Sequence, residues 1–195
     1  MRRQMTFAQY RAMDIFIFTA LECLCETMIV LGSTIWFADQ LYTLSLTAAV
    51  TAIVLVRWGA PAAVPAVCGG LVFCLFSGAT RSQYLIYCAG NLLALALVPL
   101  VRGEGWKKLQ DNVLLVLLYG LAAALLMQMG RFIIAFLMGT PPAVCAGFIT
   151  TDVLSTFFSV LLVWICRRLD GMLEEQRHYL IRIQEEEKRT RGSNP

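Results

Sequence analysis

The strongest constraint on the fold is a set of six long apolar runs separated by short polar or charged segments. The hydrocarbon core of a bilayer is about 30 Å thick, and a helix needs about 20 mainly apolar residues to cross it. The runs cover residues 13–37, 41–56, 62–79, 83–101, 113–138 and 144–166. With 58% hydrophobic and 15% charged residues, the chain does not have the composition of a water-soluble domain. We therefore predict an all-α integral membrane protein, a bundle of six transmembrane helices. The short second and third runs also fit a tilted or partly re-entrant pair.

The distribution of Lys and Arg predicts the orientation of these helices, because cytoplasmic loops carry the excess of positive charge. With six spans, one side holds Arg2, Arg3, Arg11, Arg57, Arg102, Lys107, Lys108, Arg167 and Arg168. The loops of the other side hold Arg81. The predicted topology is a multi-pass protein of the cell membrane with an even number of spans and both termini in the cytoplasm.

The chain changes character after the sixth run, so we divide it into a transmembrane domain, 1–168, and a helical tail, 169–195. In the tail, Leu169, Leu173, Gln176, Leu180 and Ile183 recur at alternating spacings of four and three. This pattern predicts an amphipathic cytoplasmic helix. Such a helix either rests one face on the lipid headgroups or docks a partner, and in the second case Leu173 and Leu180 are contact residues.

Four charged residues lie well inside the apolar runs, away from their ends: Glu22, Glu26, Arg131 and Asp152. Each costs about 2.5 to 3.5 kcal/mol at the bilayer centre on insertion scales, so it needs a partner, a water-filled cavity or a function. Glu22 and Glu26 share one face of the first helix, about 6 Å apart along its axis. Because one arginine cannot neutralise three carboxylates, the excess negative charge favours a cationic or amine-bearing ligand, a proton, or a protonated carboxyl group.

The predicted topology brings residues of four spans to a similar depth, about 10 to 16 Å below the outer ends of their helices. This predicts a polar pocket that opens away from the cytoplasm. Its predicted substrate-binding residues are Glu22, Glu26, Asn91, Gln128, Arg131 and Asp152. Trp36 and Tyr84 either cap this pocket or belong to the interfacial aromatic belt. The alternative is purely structural: Arg131 pairs with Asp152 or Glu26 to hold the helices together.

Motifs of intramembrane hydrolases and metalloenzymes are missing from the sequence. It has no phosphate-binding glycine loop, no His-Glu-x-x-His and no Gly-x-Ser-x-Gly, and its one histidine, His178, is in the tail. Its seven cysteines lack the spacing of a metal site. No basic stripe with interleaved aromatic residues indicates nucleic-acid binding. We expect a protein that is not an enzyme and that carries no cofactor or metal.

This layout resembles the substrate-binding S components of energy-coupling-factor (ECF) transporters. Residues 45–79, SLTAAVTAIVLVRWGAPAAVPAVCGGLVFCLFSGA, are similar to the second and third helices of that family, joined by a turn at Gly59-Ala60-Pro61. The resemblance implies a six-helix protein that binds a vitamin or related small nutrient from outside. It also implies a transmembrane coupling subunit and two cytoplasmic ATPase subunits as partners, with the ATPases powering uptake. Ala8 and Ala12 match the small-x-x-x-small pattern that family members use to contact the coupling subunit.

Two other functions are compatible with the sequence. Arg167-Arg168, the apolar stripe and Glu185-Glu186-Glu187-Lys188-Arg189 resemble the linker that joins membrane sensor domains to histidine-kinase helices. The chain would then be a sensor or regulatory subunit that signals through its C-terminal helix. A membrane scaffold without a ligand is the third possibility. It predicts that function is preserved when Glu26, Arg131 and Asp152 are replaced together by a matched set of neutral residues.

Overall fold

The computed structural model describes residues 6–36 and 44–192, and this part of the chain is helical, without strands. The helices are α1 (Phe7–Trp36), α2 (Thr47–Trp58), α3 (Ala60–Phe76), α4 (Arg81–Val101), α5 (Gly105–Asp111), α6 (Val113–Leu137), α7 (Pro142–Cys166) and α8 (Gln176–Gly192). The predicted end of the first span at residue 37 and start of the second at residue 41 lie outside the described residues. The outer ends of both predicted domains, residues 1–5 and 193–195, also lie outside them.

Four of these helices, α1, α4, α6 and α7, are long and apolar enough to cross a membrane. The chain is therefore an all-helical membrane protein. The lipid-facing side is visible on α1, where Phe16, Leu24 and Met28 are 64–70% exposed. A soluble protein rarely leaves so large an apolar surface in water.

The second and third predicted runs form the two shorter helices, α2 and α3. Helix α2 has 12 residues, which corresponds to a length of about 18 Å and is shorter than the hydrocarbon core. It is apolar around its whole circumference and packs against α1, α3, α6 and α7, as expected of a buried helix. It begins at Thr47 and ends at Trp58, and the next residue, Gly59, has a φ of 71° that requires the conformational freedom of glycine.

Two of the long helices are interrupted at the same level. Helix α4 is α-helical through Asn91 and continues as a 3-10 helix over Leu92–Leu97. Helix α7 breaks at Thr151 and Asp152, and the α-helix resumes at Val153. Within a bilayer, irregular backbone is tolerated only where it is buried in protein or lines a cavity.

The tail differs from its prediction. Helix α8 begins at Gln176, not at Leu169, because the chain turns sharply at Gly171, where φ is 69°. Any Cβ at this glycine would lie 2.5 Å from the Tyr179 ring. The predicted apolar stripe is therefore divided: Leu169 is half exposed in the turn, and Leu173 is buried in the main hydrophobic core.

Arg57 connects the tail turn to the bundle, because it forms an ion pair within the bundle and a hydrogen bond to the turn. Arg57, at the end of α2, donates from Nε and Nη2 to the Asp14 carboxylate on α1, at 3.0 and 2.9 Å. The Arg57 Nη1 atom donates to the carbonyl of Gly171 at 2.6 Å. The indole of Trp58 also donates to Asp14. The start of α1, the end of α2 and the tail turn thus meet at one end of the bundle.

Candidate functional site

The close crossing of α4 and α6 positions the first part of the site. A Cβ on Gly90 would lie 2.6 Å from the backbone nitrogen of Arg131, and one on Gly130 would overlap the Gly90 carbonyl. Two glycines at this crossing let the helix backbones approach each other, as small residues do in membrane bundles. Asn91 is thereby placed beside Arg131, and Arg131 Nε donates to Asn91 Oδ1 at 2.9 Å.

From Arg131, a chain of buried hydrogen bonds extends through α7 to the segment before α2. Arg131 Nη1 donates to Asp152 Oδ2 at 2.8 Å, and both side chains are less than 10% exposed. The Ser155 hydroxyl donates to Asp152 Oδ1 at 2.8 Å. The same hydroxyl accepts from the Ser45 N–H at 3.0 Å. Asp152 thus connects two helices and the approach to a third.

Glu26 completes this chain by capping the start of α2 from a neighbouring helix. Its Oε1 atom accepts from the backbone N–H groups of Leu46 and Thr47 at 2.7 and 3.1 Å. It also accepts from the hydroxyls of Ser45 and Thr47, at 2.5 and 2.9 Å. The N-cap residue of α2, Leu46, has no side-chain acceptor, and the Ser45 hydroxyl accepts only at 3.3 Å from the Thr47 N–H. A carboxylate here satisfies orphan N–H groups and lies at the positive end of the helix dipole.

Glu22 lies beside this network but takes no part in it. Its side chain is 1% exposed, and neither carboxylate oxygen has a hydrogen-bond partner among the described residues. The Thr47 hydroxyl lies beside Glu22, but it donates its single proton to Glu26. A Cβ on Gly69 would overlap Glu22 Oε1, so the glycine makes room for this carboxylate.

A small cavity of about 10 Å³ lies at the centre of the site. It is lined by Ser45, Thr47, Gly69, Gly70, Phe73, Tyr87, Arg131 and Asp152. This volume suits a single water molecule. Its aromatic wall is formed by the rings of Phe73 and Tyr87, with centroids 4.7 Å apart, and Arg131 lies 4.7 Å from the centroid of the Tyr87 ring.

The six predicted binding residues are all buried in the structure. Glu26, Asn91, Arg131 and Asp152 belong to the hydrogen-bond chain. Gln128 is one turn away, donating to Thr156 at 2.8 Å and to the carbonyl of Asp152 at 3.4 Å. Glu22 lies against Gly69, at the cavity wall.

The two residues predicted as a cap do not line the cavity. Trp36 is 75% exposed at the last residue of α1, and Tyr84 lies one helical turn before Tyr87. Helical geometry explains the difference for Tyr84, because a residue three positions earlier lies about 4.5 Å further along the axis.

The predicted partner contacts differ in their exposure. Ala8 and Ala12 are exposed at the start of α1, and Leu180 is partly buried on α8. Leu173 is 1% exposed and packs in the core, so it offers no surface to a partner in this structure. The turn at Gly171 is the physical reason, because it directs Leu173 into the bundle.

Sequence reasoning missed the hydroxyl-bearing and small residues of the site. Ser45, Thr47 and Ser155 supply hydrogen bonds, and Gly69, Gly90 and Gly130 supply space. One available signal was Ser45-Leu46-Thr47, two hydroxyl residues at the start of an apolar run, a composition typical of a helix start. The glycine contacts depend on neighbouring helices and have no comparable local signal.

The electrostatics of the site are unbalanced. Glu22, Glu26 and Asp152 are three buried carboxyl groups, and the one buried cation of the described site, Arg131, pairs with Asp152 alone. The formal charge is −2 if every group is ionised. The acceptor oxygens without a partner are both atoms of Glu22 and Oε2 of Glu26. The described ranges contain no group of three or more His, Cys, Asp or Glu that would hold a metal ion.

Comparison with models of protein families, with curated proteins and with solved structures found no match to this chain.

Proposed function

We propose that this protein is a membrane-embedded substrate-binding subunit, the S component of an ECF-type importer for a vitamin or related small nutrient. The observation that carries the proposal is the meeting of two helix interruptions and one helix start at one buried polar cluster. Helix α2 starts at Thr47, α4 changes to a 3-10 helix after Asn91, and α7 breaks at Asp152. Discontinuous helices near the middle of a membrane are typical of substrate sites in transport proteins.

The unpartnered atoms indicate the chemistry of the substrate. Since Glu22 and Glu26 present acceptors, the matching ligand group is a donor, and the excess negative charge favours a cationic donor such as a protonated amine. A nutrient needs a larger volume than the 10 Å³ of this cavity, because ligand sites usually enclose about 300 Å³ or more. Binding therefore separates the segment before α2 from α7, breaking the bond between Ser45 and Ser155.

In this proposal the termini are cytoplasmic, the protein lies in the cell membrane and the site opens to the outside. Transport is powered by two ATPase subunits on other chains through a transmembrane coupling subunit. The exposed Ala8 and Ala12 at the start of α1 are the proposed contact with that subunit. Small residues on a lipid-facing surface permit the close helix contact that such an interface needs.

Affinity purification of the full-length chain from its native membrane in mild detergent, followed by mass spectrometry, tests this proposal. We expect two ATPases and a membrane coupling protein with the wild type, and their loss in an Ala8→Trp/Ala12→Trp variant. The matched control is Ala20→Trp, on the exposed surface of the same helix. Recovery of no ATPase in any sample contradicts the proposal.

One observation favours the alternative of a sensor or regulatory subunit. The Arg57 side chain joins Asp14 of α1 to the Gly171 carbonyl, so a movement of α1 or α2 is transmitted to the tail turn. Recovery of a histidine kinase or another signalling protein in the same purification supports this alternative. An Arg57→Lys variant would then weaken that association, because Lys cannot reproduce the forked contact.

A further inference from the structure

A second site lies at the end of the bundle where α1 begins and α2 and α4 end. A cavity of about 460 Å³ opens there, which is large enough for a small ligand. Four guanidinium groups from four separate segments line it: Arg11, Arg57, Arg102 and Arg177. The apolar part of its wall includes Phe7, Leu55, Val56, Trp58 and Val101. This cavity shares no residue with the Glu22 and Arg131 cluster.

Three of the four arginines are available to a ligand. Arg57 is already neutralised by Asp14. Arg11, Arg102 and Arg177 have neither an ion pair nor a side-chain hydrogen bond with any described residue, and all three are exposed. The one carboxylate in the lining is Glu175, and the imidazole of His178 lies 3.6 Å from it. The lining thus has a clear excess of positive charge.

An adjoining cavity of about 340 Å³ lies between α1 and α8. It shares Phe7 and Arg177 with the first cavity, and its other lining residues are Tyr10, Leu180, Ile181 and Gln184. Phe7 and Ile181 are nearly half exposed, so the apolar surface of this second cavity is accessible. The cationic compartment and this more apolar compartment therefore adjoin at Phe7 and Arg177.

We propose that the two cavities form one binding site for an anionic phospholipid. Its phosphate group lies among Arg11, Arg102 and Arg177, and its glycerol and first acyl carbons lie against Phe7, Leu180 and Ile181. Guanidinium groups bind phosphate with two parallel hydrogen bonds, which makes arginine the preferred residue at such sites. Basic pockets between helix ends at the membrane surface bind the headgroups of acidic lipids. A free phosphate ion uses the same arginines but gains nothing from the apolar compartment.

Native mass spectrometry of the full-length chain in detergent tests this assignment. The probes are phosphatidylglycerol, phosphatidylcholine with the same acyl chains, and inorganic phosphate. We expect phosphatidylglycerol to remain bound and the other two to be lost at the same concentration. The test variant is Arg102→Gln/Arg177→Gln. Its matched control is Arg81→Gln, at the first residue of α4, whose opposite end Arg102 directly follows.

The double variant should bind phosphatidylglycerol about thirtyfold more weakly, because each basic residue near an anionic lipid contributes about fivefold. Its folding should be preserved, since neither arginine has a partner to lose, and an unchanged melting temperature verifies this. Arg102→Lys/Arg177→Lys should recover most of the affinity, because the charge is kept. Unchanged lipid binding in the Gln variant overturns the site. Equal retention of inorganic phosphate or phosphatidylcholine overturns the assignment to an acidic lipid.

Discussion

The buried pair of Arg131 and Asp152 makes the sharpest prediction about stability. The two side chains are 7% and 8% exposed, and the distance between Nη1 and Oδ2 is 2.8 Å. Asp152→Asn removes the negative charge and leaves the guanidinium buried with Asn91 and the Tyr87 ring as its neighbours. Arg131→Met instead leaves the Asp152 carboxylate without its counter-charge.

The magnitude follows from the desolvation of the remaining charge. Breaking a buried ion pair by removing one partner destabilises a protein by about 3 to 5 kcal/mol, whereas replacing both partners is often nearly neutral. For a chain of this size, 1 kcal/mol shifts the melting temperature by about 2 to 4 °C. Each single variant should therefore melt about 6 to 20 °C below the wild type. The double variant, Arg131→Met/Asp152→Asn, should melt above Arg131→Met, although it carries one more substitution.

The assay uses the cysteines of the protein itself. Cys74, Cys145 and Cys166 are buried and unpaired, so a thiol-reactive fluorophore reports their exposure as the detergent-solubilised protein is heated. The matched control is Asp170→Asn, the same substitution in an ion pair with Arg182 where the carboxylate is 70% exposed. Exposed pairs contribute about 0 to 1 kcal/mol, so this variant should melt within about 4 °C of the wild type.

Two outcomes would refute the reasoning. Equal melting temperatures for Asp152→Asn and Asp170→Asn would show that burial does not strengthen the first pair. Additive losses in the double variant would show that Arg131 and Asp152 are not coupled, since contacting residues in one network show interaction energies of about 0.5 to 3 kcal/mol.

Two further predictions concern the backbone near each site. Glu26→Gln should preserve most of the stability, whereas Glu26→Ala should lower the free energy of unfolding by about 1 to 3 kcal/mol. Alanine leaves the Leu46 N–H without an acceptor and leaves the Thr47 N–H with only the longer bond to Ser45 Oγ. Equal melting temperatures of the two variants would argue against the cap. Gly171→Ala should cost at least about 1 to 2 kcal/mol from its positive φ alone and more from the contact with Tyr179. Its control, Gly147→Ala, has open space and a helical position, so it should be neutral or stabilising, and similar melting of both glycine variants would contradict the role of the turn.

The helical class and the residues of the polar cluster could be predicted from the sequence because both depend on hydrophobicity. Every apolar run contains a helix, and the four charged residues well inside the runs, Glu22, Glu26, Arg131 and Asp152, are buried. An ionisable side chain within a membrane-spanning helix has a low energy only where it faces protein or a water-filled cavity. The burial of these residues therefore follows from the sequence alone.

The details that depend on contacts between helices could not be predicted. The start of α2 was expected at residue 41, but within the described chain α2 begins at Thr47, where Glu26 of α1 supplies the acceptor for its first N–H groups. The stripe from Leu169 to Ile183 has the spacing of one helix, yet Gly171 ends that continuity. In both cases a neighbouring element, absent from the local sequence pattern, determines the boundary.

The burial of Glu22 is an argument for the proposed binding site and against a purely structural network. A scaffold needs only hydrogen bonds that hold its helices together. The hydrogen-bond chain from Asn91 through Arg131 and Asp152 to Glu26 provides these, and each atom that forms a link in it has a partner. A scaffold gains nothing from a further carboxyl group that is 1% exposed and accepts no hydrogen bond within the described structure. Such a group costs free energy in every folded molecule, and leucine or methionine in its place would fill a similar volume at no polar cost. A ligand that donates to Glu22 offsets this cost, and this role favours the substrate-binding function over a scaffold.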